Sequence, residues 1–163
     1  CALPISDGGL RRLISGVLKL IPDEAVFEYP ECAPYYHLLA EHLGLSAGNL
    51  LFTAGADGAI RMVFEAFISP DDTVLLTAPT FAMFPVYARM YAGKIIELAY
   101  ESSDAGPVLR AETVFAAIEK HRPRLFCLPN PDSPTGTLFS ADPLEGPHRA
   151  APAARSALLT DRA

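Results

Sequence analysis

Residues 125–136 read Leu125-Phe126-Cys127-Leu128-Pro129-Asn130-Pro131-Asp132-Ser133-Pro134-Thr135-Gly136. Leu125 to Leu128 is an unbroken apolar run, the pattern of a parallel strand buried on both faces. From Asn130 the chain becomes polar and proline-stiffened. Open α/β sheets bind their ligands outside the carboxyl ends of the strands. A polar loop directly after a buried strand is therefore a candidate binding segment.

Upstream, the same kind of unit recurs. Thr73-Val74-Leu75-Leu76-Thr77 is a second continuous apolar run, and Lys94 to Tyr100 has strand character. A short strand is expected at Asn49-Leu50-Leu51-Phe52-Thr53. Helical spacing lies between them. Ile60, Val63, Phe64 and Phe67 form one apolar stripe, Ala78-Pro79-Thr80-Phe81 leads into a helix that runs through about Tyr91 and closes at Gly93, and Val114, Ala117 and Ile118 face inward on Ala111 to His121. Residues 101–110 read as a polar loop. Strands alternating with helices predict βα units and a mostly parallel sheet, an α/β fold.

The first 34 residues differ in character. Leu10, Leu13, Ile14, Val17, Leu18 and Ile21 have helical spacing, and Pro22 ends that run. Residues 27–34 are an extended, proline-marked connection, and a helix from about Tyr35 to Leu43 stops at Gly44. The organisation expected is an amino-terminal helix and arm over 1–34 and an α/β domain over 35–163. Beyond Ala141, Pro143, Pro147 and Pro152 interrupt an Ala/Arg-rich tract. The short apolar run Ala157-Leu158-Leu159-Thr160 then precedes Asp161.

Bulk properties narrow the function classes. The 163 residues suffice for one domain with a core, and the formal net charge of −6 argues against a nucleic-acid partner. No apolar run approaches the roughly 20 residues that cross a membrane. The chain begins at Cys1 rather than Met, so a fragment or a processed chain is expected. Its 3 cysteines include no C-x-x-C pair, which suggests free thiols in a reducing, cytoplasmic compartment. His37 and His42 fall about 140° apart around a helix, which serves a metal ion poorly, so no metal is expected.

Four segments can carry chemistry. In Ala54-Gly55-Ala56-Asp57-Gly58, small residues let main-chain amides approach a ligand, and free N–H groups at a helix start attract phosphate. The same segment also reads as an ordinary strand-to-helix turn capped by Asp57. Phe81, after Pro79-Thr80, can stack on a flat heteroaromatic ring or simply fill the core. The Tyr29 hydroxyl can donate to an anion or sit idle on the surface. Asp161, after a short strand, can pair with a protonated ring nitrogen or remain solvated.

Taken in order and spacing, these segments resemble the class I/II pyridoxal-phosphate (PLP) dependent aminotransferases, most closely the histidinol-phosphate aminotransferase branch. Tyr29-Pro30-Glu31-Cys32 resembles that branch's tyrosine loop and residues 54–58 its phosphate turn. Pro79-Thr80-Phe81-Ala82-Met83-Phe84 resembles its aromatic segment, and Asn130 to Gly136 its N-P-x-N-P-T-G loop. The resemblance implies the fold-type I large domain, a three-layer α/β/α sandwich with a mostly parallel sheet, present here in part behind an amino-terminal arm. It implies that Ala56, Asp57 and Gly58 hold the cofactor phosphate through main-chain amides. Phe81 would stack on the pyridine ring, and Asp161 would pair with the pyridine nitrogen. Tyr29 would reach the phosphate bound in a neighbouring subunit, hence a homodimer. The substrates implied are an amino acid, or an amino-alcohol phosphate such as histidinol phosphate, and a 2-oxo acid.

The chain also departs from the family. Ser133 stands where the family has an Asn that donates to the cofactor's ring hydroxyl, and a serine reaches less far. Gly58 replaces an acidic residue common in the branch, and the family's Asp-Glu-Ala-Tyr run reads Asp161-Arg162-Ala163. The lysines are Lys19, Lys94 and Lys120, all before the Asn130 loop, whereas the family's cofactor-holding lysine follows the aspartate. The catalytic lysine is thus unassigned, and the chain by itself is expected to be inactive. A non-catalytic module of the same fold, a PLP-dependent decarboxylase or lyase, and a nucleotide-binding α/β domain are the alternatives.

Overall fold

The computed structural model describes residues 8–104, 106–138 and 157–161. Two compact units divide the chain, Cys1–Leu51 and Phe52–Ala163. In the first, α1 (Gly8–Leu18), α2 (Glu24–Phe27) and α3 (Ala33–Leu43) are followed by a 3₁₀ turn at Ala47–Asn49. Pro34 lies in the first turn of α3, where a missing N–H costs nothing. The apolar stripe of α1 is exposed at Leu13, Ile14, Val17 and Leu18.

The second unit contains α4 (Gly55–Phe67), β1 (Thr73–Ala78), α5 (Met83–Met90), β2 (Lys94–Ala99), β3 (Glu101–Ser103), β4 (Gly106–Val108), α6 (Ala111–His121), β5 (Leu125–Pro129) and β6 (Ala157–Asp161). Four strands form one sheet in the order β2-β1-β5-β6, and each neighbouring pair is parallel. Val74 to Thr77 and Leu125 to Pro129 are buried without interruption, which agrees with the continuous apolar runs in the sequence.

Side-chain alternation divides this core into two layers. Val74, Leu76, Leu125 and Cys127 pack on Ile60 and Phe64 of α4 and on Phe84, Tyr87 and Ala88 of α5. Leu75, Phe126 and Leu128 point the other way, into a cluster with Leu109 and with Val114 of α6. Helices therefore cover both faces, as a three-layer α/β/α arrangement requires. Gly93 marks a close approach between the end of α5 and the sheet. A Cβ there would lie 3.0 Å from Val74 Cγ2 and 3.3 Å from the Ala88 carbonyl oxygen.

Two sequence expectations are corrected. Asn49 to Thr53 is not a strand: a 3₁₀ turn ends at Asn49, and residues 50–53 belong to no ladder among the described residues. Leu50 has extended backbone angles (φ −111°, ψ 145°), and Leu51 is exposed. Apolar β-formers favour extended backbone, but a strand also needs a neighbouring edge to pair with. Residues 101–110, read as a loop, contain the antiparallel hairpin β3–β4. Strands of three residues are too short to carry a period that a sequence reading can detect. The Ser103 hydroxyl donating to the Gly106 carbonyl (2.6 Å) and the Arg110–Glu101 ion pair (3.0 Å) accompany that pairing.

Candidate functional site

The strand order creates the site. The β1-to-β2 connection passes through α5, on the face that carries Phe84 and Tyr87. The β2-to-β5 connection passes through α6, on the opposite face. The first connection thus leads from β1 to β2 on one side, the second leaves β2 and crosses back past β1 to β5 on the other, and the order reverses between β1 and β5. Such a reversal opens a crevice outside the carboxyl ends of the two strands. Pro79-Thr80-Phe81 leaves β1 at this edge, and the 130–136 loop leaves β5 there. Pro129 pairs with Asp161, so the backbone of Asp161 ends the next strand at the same edge.

Phe81 is half-buried and packs against the α4–α5 layer. Its ring meets fully buried Phe84 edge-on, with centroids 5.9 Å apart and planes at 83°. An aromatic ring braced in this way has little freedom left to lose on stacking. Next to it, Thr80 Oγ1 is buried without a hydrogen-bond partner among the described residues.

The chain enters α4 through Gly55, whose φ of 72° lies in the left-handed region where glycine carries no Cβ penalty. The Gly55 N–H donates to the Thr53 carbonyl (2.8 Å), and the Thr53 hydroxyl donates to the Gly55 carbonyl (2.7 Å). Asp57 is not the helix cap that its sequence position suggests. Ala54 occupies the cap position, and Asp57 sits inside the first turn. Two small residues before the Asp allow the helix to begin earlier than a capping Asp would. The Asp57 carboxylate instead accepts from the Tyr87 hydroxyl (2.9 Å). Burial, and then this carboxylate, raise the Tyr87 phenol pKa above its ordinary value. The first-turn N–H groups of Ala56 and Asp57 precede the first intrahelical hydrogen bond, which Gly58 makes to the cap residue Ala54, so this helix start offers donors to an anion. Tyr87 ties that turn to α5, the helix that carries Phe84 beside Phe81.

In the 130–136 loop, Asp132 points inward and is buried, while Ser133 and Pro134 are exposed. The Asp132 N–H donates to the Thr137 carbonyl (2.9 Å), and its own carbonyl accepts from the Gly136 N–H (2.8 Å). Its Oδ2 accepts from the Thr135 hydroxyl (2.7 Å). Beside this loop a cleft of about 330 Å³ lies between Ala78-Pro79, Tyr100, the β3–β4 hairpin and Thr135.

The structure therefore brings Ala56, Asp57, Gly58, Phe81 and Ser133 to segments of one α/β unit, with the backbone of Asp161 in the same sheet. The side chain of Asp161 and residues 162–163 lie outside the described residues. Tyr29 belongs to the amino-terminal unit, and its ring is fully exposed. Sequence reasoning missed Tyr87 and Asp132. Tyr87 follows Phe84 at helical spacing, and Asp132 precedes Thr135 by three, a spacing at which a carboxylate can meet a hydroxyl across a turn. Among the described residues no helix is long and apolar enough to cross a membrane, and no cluster of His, Cys, Asp and Glu could hold a metal ion.

A doubly wound α/β unit with a ligand crevice at its switch point is thus the class that fold and site define. The sequence pattern of the family "Aminotransferase class I and II" matches residues 24–163, and the chain belongs to that family. Among its curated relatives, histidinol-phosphate aminotransferase of Moorella thermoacetica is 30% identical over 126 residues, covering 76% of this chain and 31% of that protein. The counterpart from Dehalococcoides mccartyi is 31% identical over 105 residues, covering 64% and 28%. The chain spans about a third of the length of such relatives. Among solved structures, histidinol-phosphate aminotransferase from Sinorhizobium meliloti, in complex with pyridoxal-5'-phosphate, superposes with a TM-score of 0.75 at 23% identity, over 86% of this chain and 38% of that one. N-succinyldiaminopimelate aminotransferase from Mycobacterium tuberculosis gives 0.77 at 23% identity, over 98% and 44%. The fold is that of the fold-type I PLP-dependent aminotransferases.

Proposed function

We propose that this chain supplies the cofactor-gripping part of a PLP-dependent aminotransferase. The complete protein would move an amino group between an amino acid, or an amino-alcohol phosphate such as histidinol phosphate, and a 2-oxo acid. The observation that carries this reading is the switch point between β1 and β5, where the segment with the braced Phe81 ring and the hydroxyl-bearing 130–136 loop leave the sheet, together with a helix start tied through Tyr87 to the same aromatic layer. Those groups are the chemical complements of a phosphate, a flat heteroaromatic ring and a ring hydroxyl, so the donor set fits PLP.

In this reading the N–H groups of Ala56 and Asp57 donate to the phosphate, and Gly58, which has no side chain, borders it. The Tyr87 hydroxyl donates to the Asp57 carboxylate and holds that side chain toward α5. Phe81 stacks on the pyridine ring, the Ser133 hydroxyl donates to the ring oxygen, and Asp161 pairs with the ring nitrogen. PLP, when bound, supplies an electron sink. Tyr29, in an arm over 1–34, reaches the phosphate of a second subunit in a homodimer, and the exposed apolar stripe of α1 favours such an assembly. A cytoplasmic location goes with these substrates. None of Lys19, Lys94 and Lys120 follows the 130–136 loop, so these 163 residues by themselves catalyse no transamination.

Titration with PLP, followed by absorbance and by quenching of tyrosine fluorescence, tests the reading. Saturable binding is expected, with inorganic phosphate competing. Ala56→Pro removes one N–H at a helix start, where proline is tolerated, and should weaken PLP about tenfold. Tight binding of ATP or NAD without PLP would replace this reading with a nucleotide-binding domain.

A further inference from the structure

The inner side of the 130–136 loop has no role in the reading above. Asp132 is 3% exposed, and its Oδ1 is buried with no hydrogen-bond partner among the described residues. Tyr100 leaves the end of β2, its own N–H donating to the Ala78 carbonyl (3.2 Å). The Tyr100 hydroxyl is also buried and unpartnered. It lies beside Thr77, Thr135 and Asp132, short of hydrogen-bond geometry with each. One of these two orphaned groups carries a proton to donate, and an ionised carboxylate only accepts. We propose that Tyr100 is a positioning residue: its hydroxyl donates to Asp132 Oδ1, directly or through one bridging water, and this tie from sheet to loop sets where Ser133 stands.

Three observations support the pairing. First, the Tyr100 phenol pKa is pushed up to about 12, by burial first and then by the negative charge of Asp132, so the two groups sense each other. Second, Asp132 cannot turn outward cheaply, because its N–H, its carbonyl and its Oδ2 are each bonded within residues 132–137. Third, the Tyr100 ring packs on the layer of Leu75 and Phe126, a task phenylalanine would do equally well, so packing leaves the hydroxyl unexplained. Ser133 is the next residue after Asp132, so a shift of one carries the other. The consequence for cofactor affinity rests on the proposed function, but the tie itself does not.

Hydrogen–deuterium exchange resolved by NMR on the 163-residue chain reads the tie without any cofactor. In Tyr100→Phe the amides of Asp132 and Gly136 should exchange about threefold faster, while those of Leu75 and Phe126 in the sheet keep their rates. Asp132→Asn retains an oxygen facing Tyr100 and should stay close to wild type. Asp132→Ala should loosen the loop, and adding Tyr100→Phe to it should change nothing more. Unchanged Asp132 and Gly136 rates in Tyr100→Phe would overturn the proposal. So would equal acceleration of loop and sheet, or an additional effect of Tyr100→Phe in the Asp132→Ala background. PLP affinity should fall about threefold in Tyr100→Phe if Ser133 contacts the cofactor. A wild-type chain that binds no PLP, yet shows the exchange pattern above, would remove the proposed function and support the tie.

Discussion

Phe84→Leu is the substitution that best separates packing from positioning at this site. Phe84 is fully buried between α5 and the sheet, and leucine keeps most of its apolar volume there. What leucine cannot keep is the edge-on contact with Phe81, at a centroid distance of 5.9 Å. Such pairs contribute about 0.5–1.5 kcal/mol beyond the area they bury. One partner is fully buried and the other half-buried, so the contact should lie in the lower half of that range, about 0.5–1 kcal/mol. The reshaped core adds about 1 kcal/mol more to the single mutant. A double-mutant cycle isolates the pair: wild type, Phe84→Leu, Phe81→Leu and the double variant, each unfolded in urea and followed by circular dichroism. The double variant should lose less stability than the two single losses added together. Coupling below about 0.3 kcal/mol, the scatter expected of independent sites, would refute the bracing of Phe81.

Two further outcomes follow from the same structure. Gly93→Ala would place a methyl group 3.0 Å from Val74 Cγ2 and should cost about 1–3 kcal/mol in urea unfolding, and an unchanged midpoint would mean that the α5–sheet contact relaxes freely. Burial pushes the Tyr100 phenol from its ordinary value of 10.0 up to about 12, so the folded state holds that proton more tightly. Its contribution to stability is complete below about pH 10 and is lost as pH rises toward about 12. Denaturation at a series of alkaline pH values should therefore show a shallower fall in Tyr100→Phe than in wild type, and parallel slopes would refute the assignment.

The central strands were legible because burial on both faces leaves a contiguous record. Val74-Leu75-Leu76 and Leu125 to Leu128 read as strands from composition alone and are buried throughout. Pairing partners leave no such record. Asn49 to Thr53 has the same apolar character but no ladder, and Glu101 to Ser103 is polar yet paired. The site was legible in its outer parts, at residues 54–58, 79–81 and 130–136, where glycine, proline and aromatic residues mark unusual backbone or surface chemistry. Its inner supports were not. Asp57 reads as a cap until Tyr87, thirty positions along the chain, is seen to hold its carboxylate. Asp132 reads as one more polar loop residue until its burial is known.

The reversal of strand order beside β1 also bears on how this scaffold tolerates change. The chain leaves β1 toward β2 over one face and returns past β1 to β5 over the other, so the gap is a property of the chain's path rather than of any side chain. A substitution such as the serine at 133 can retune what the gap grips, but closing it would require rerouting the backbone. Loops on this rim are thus free to diverge in sequence while the place they surround persists.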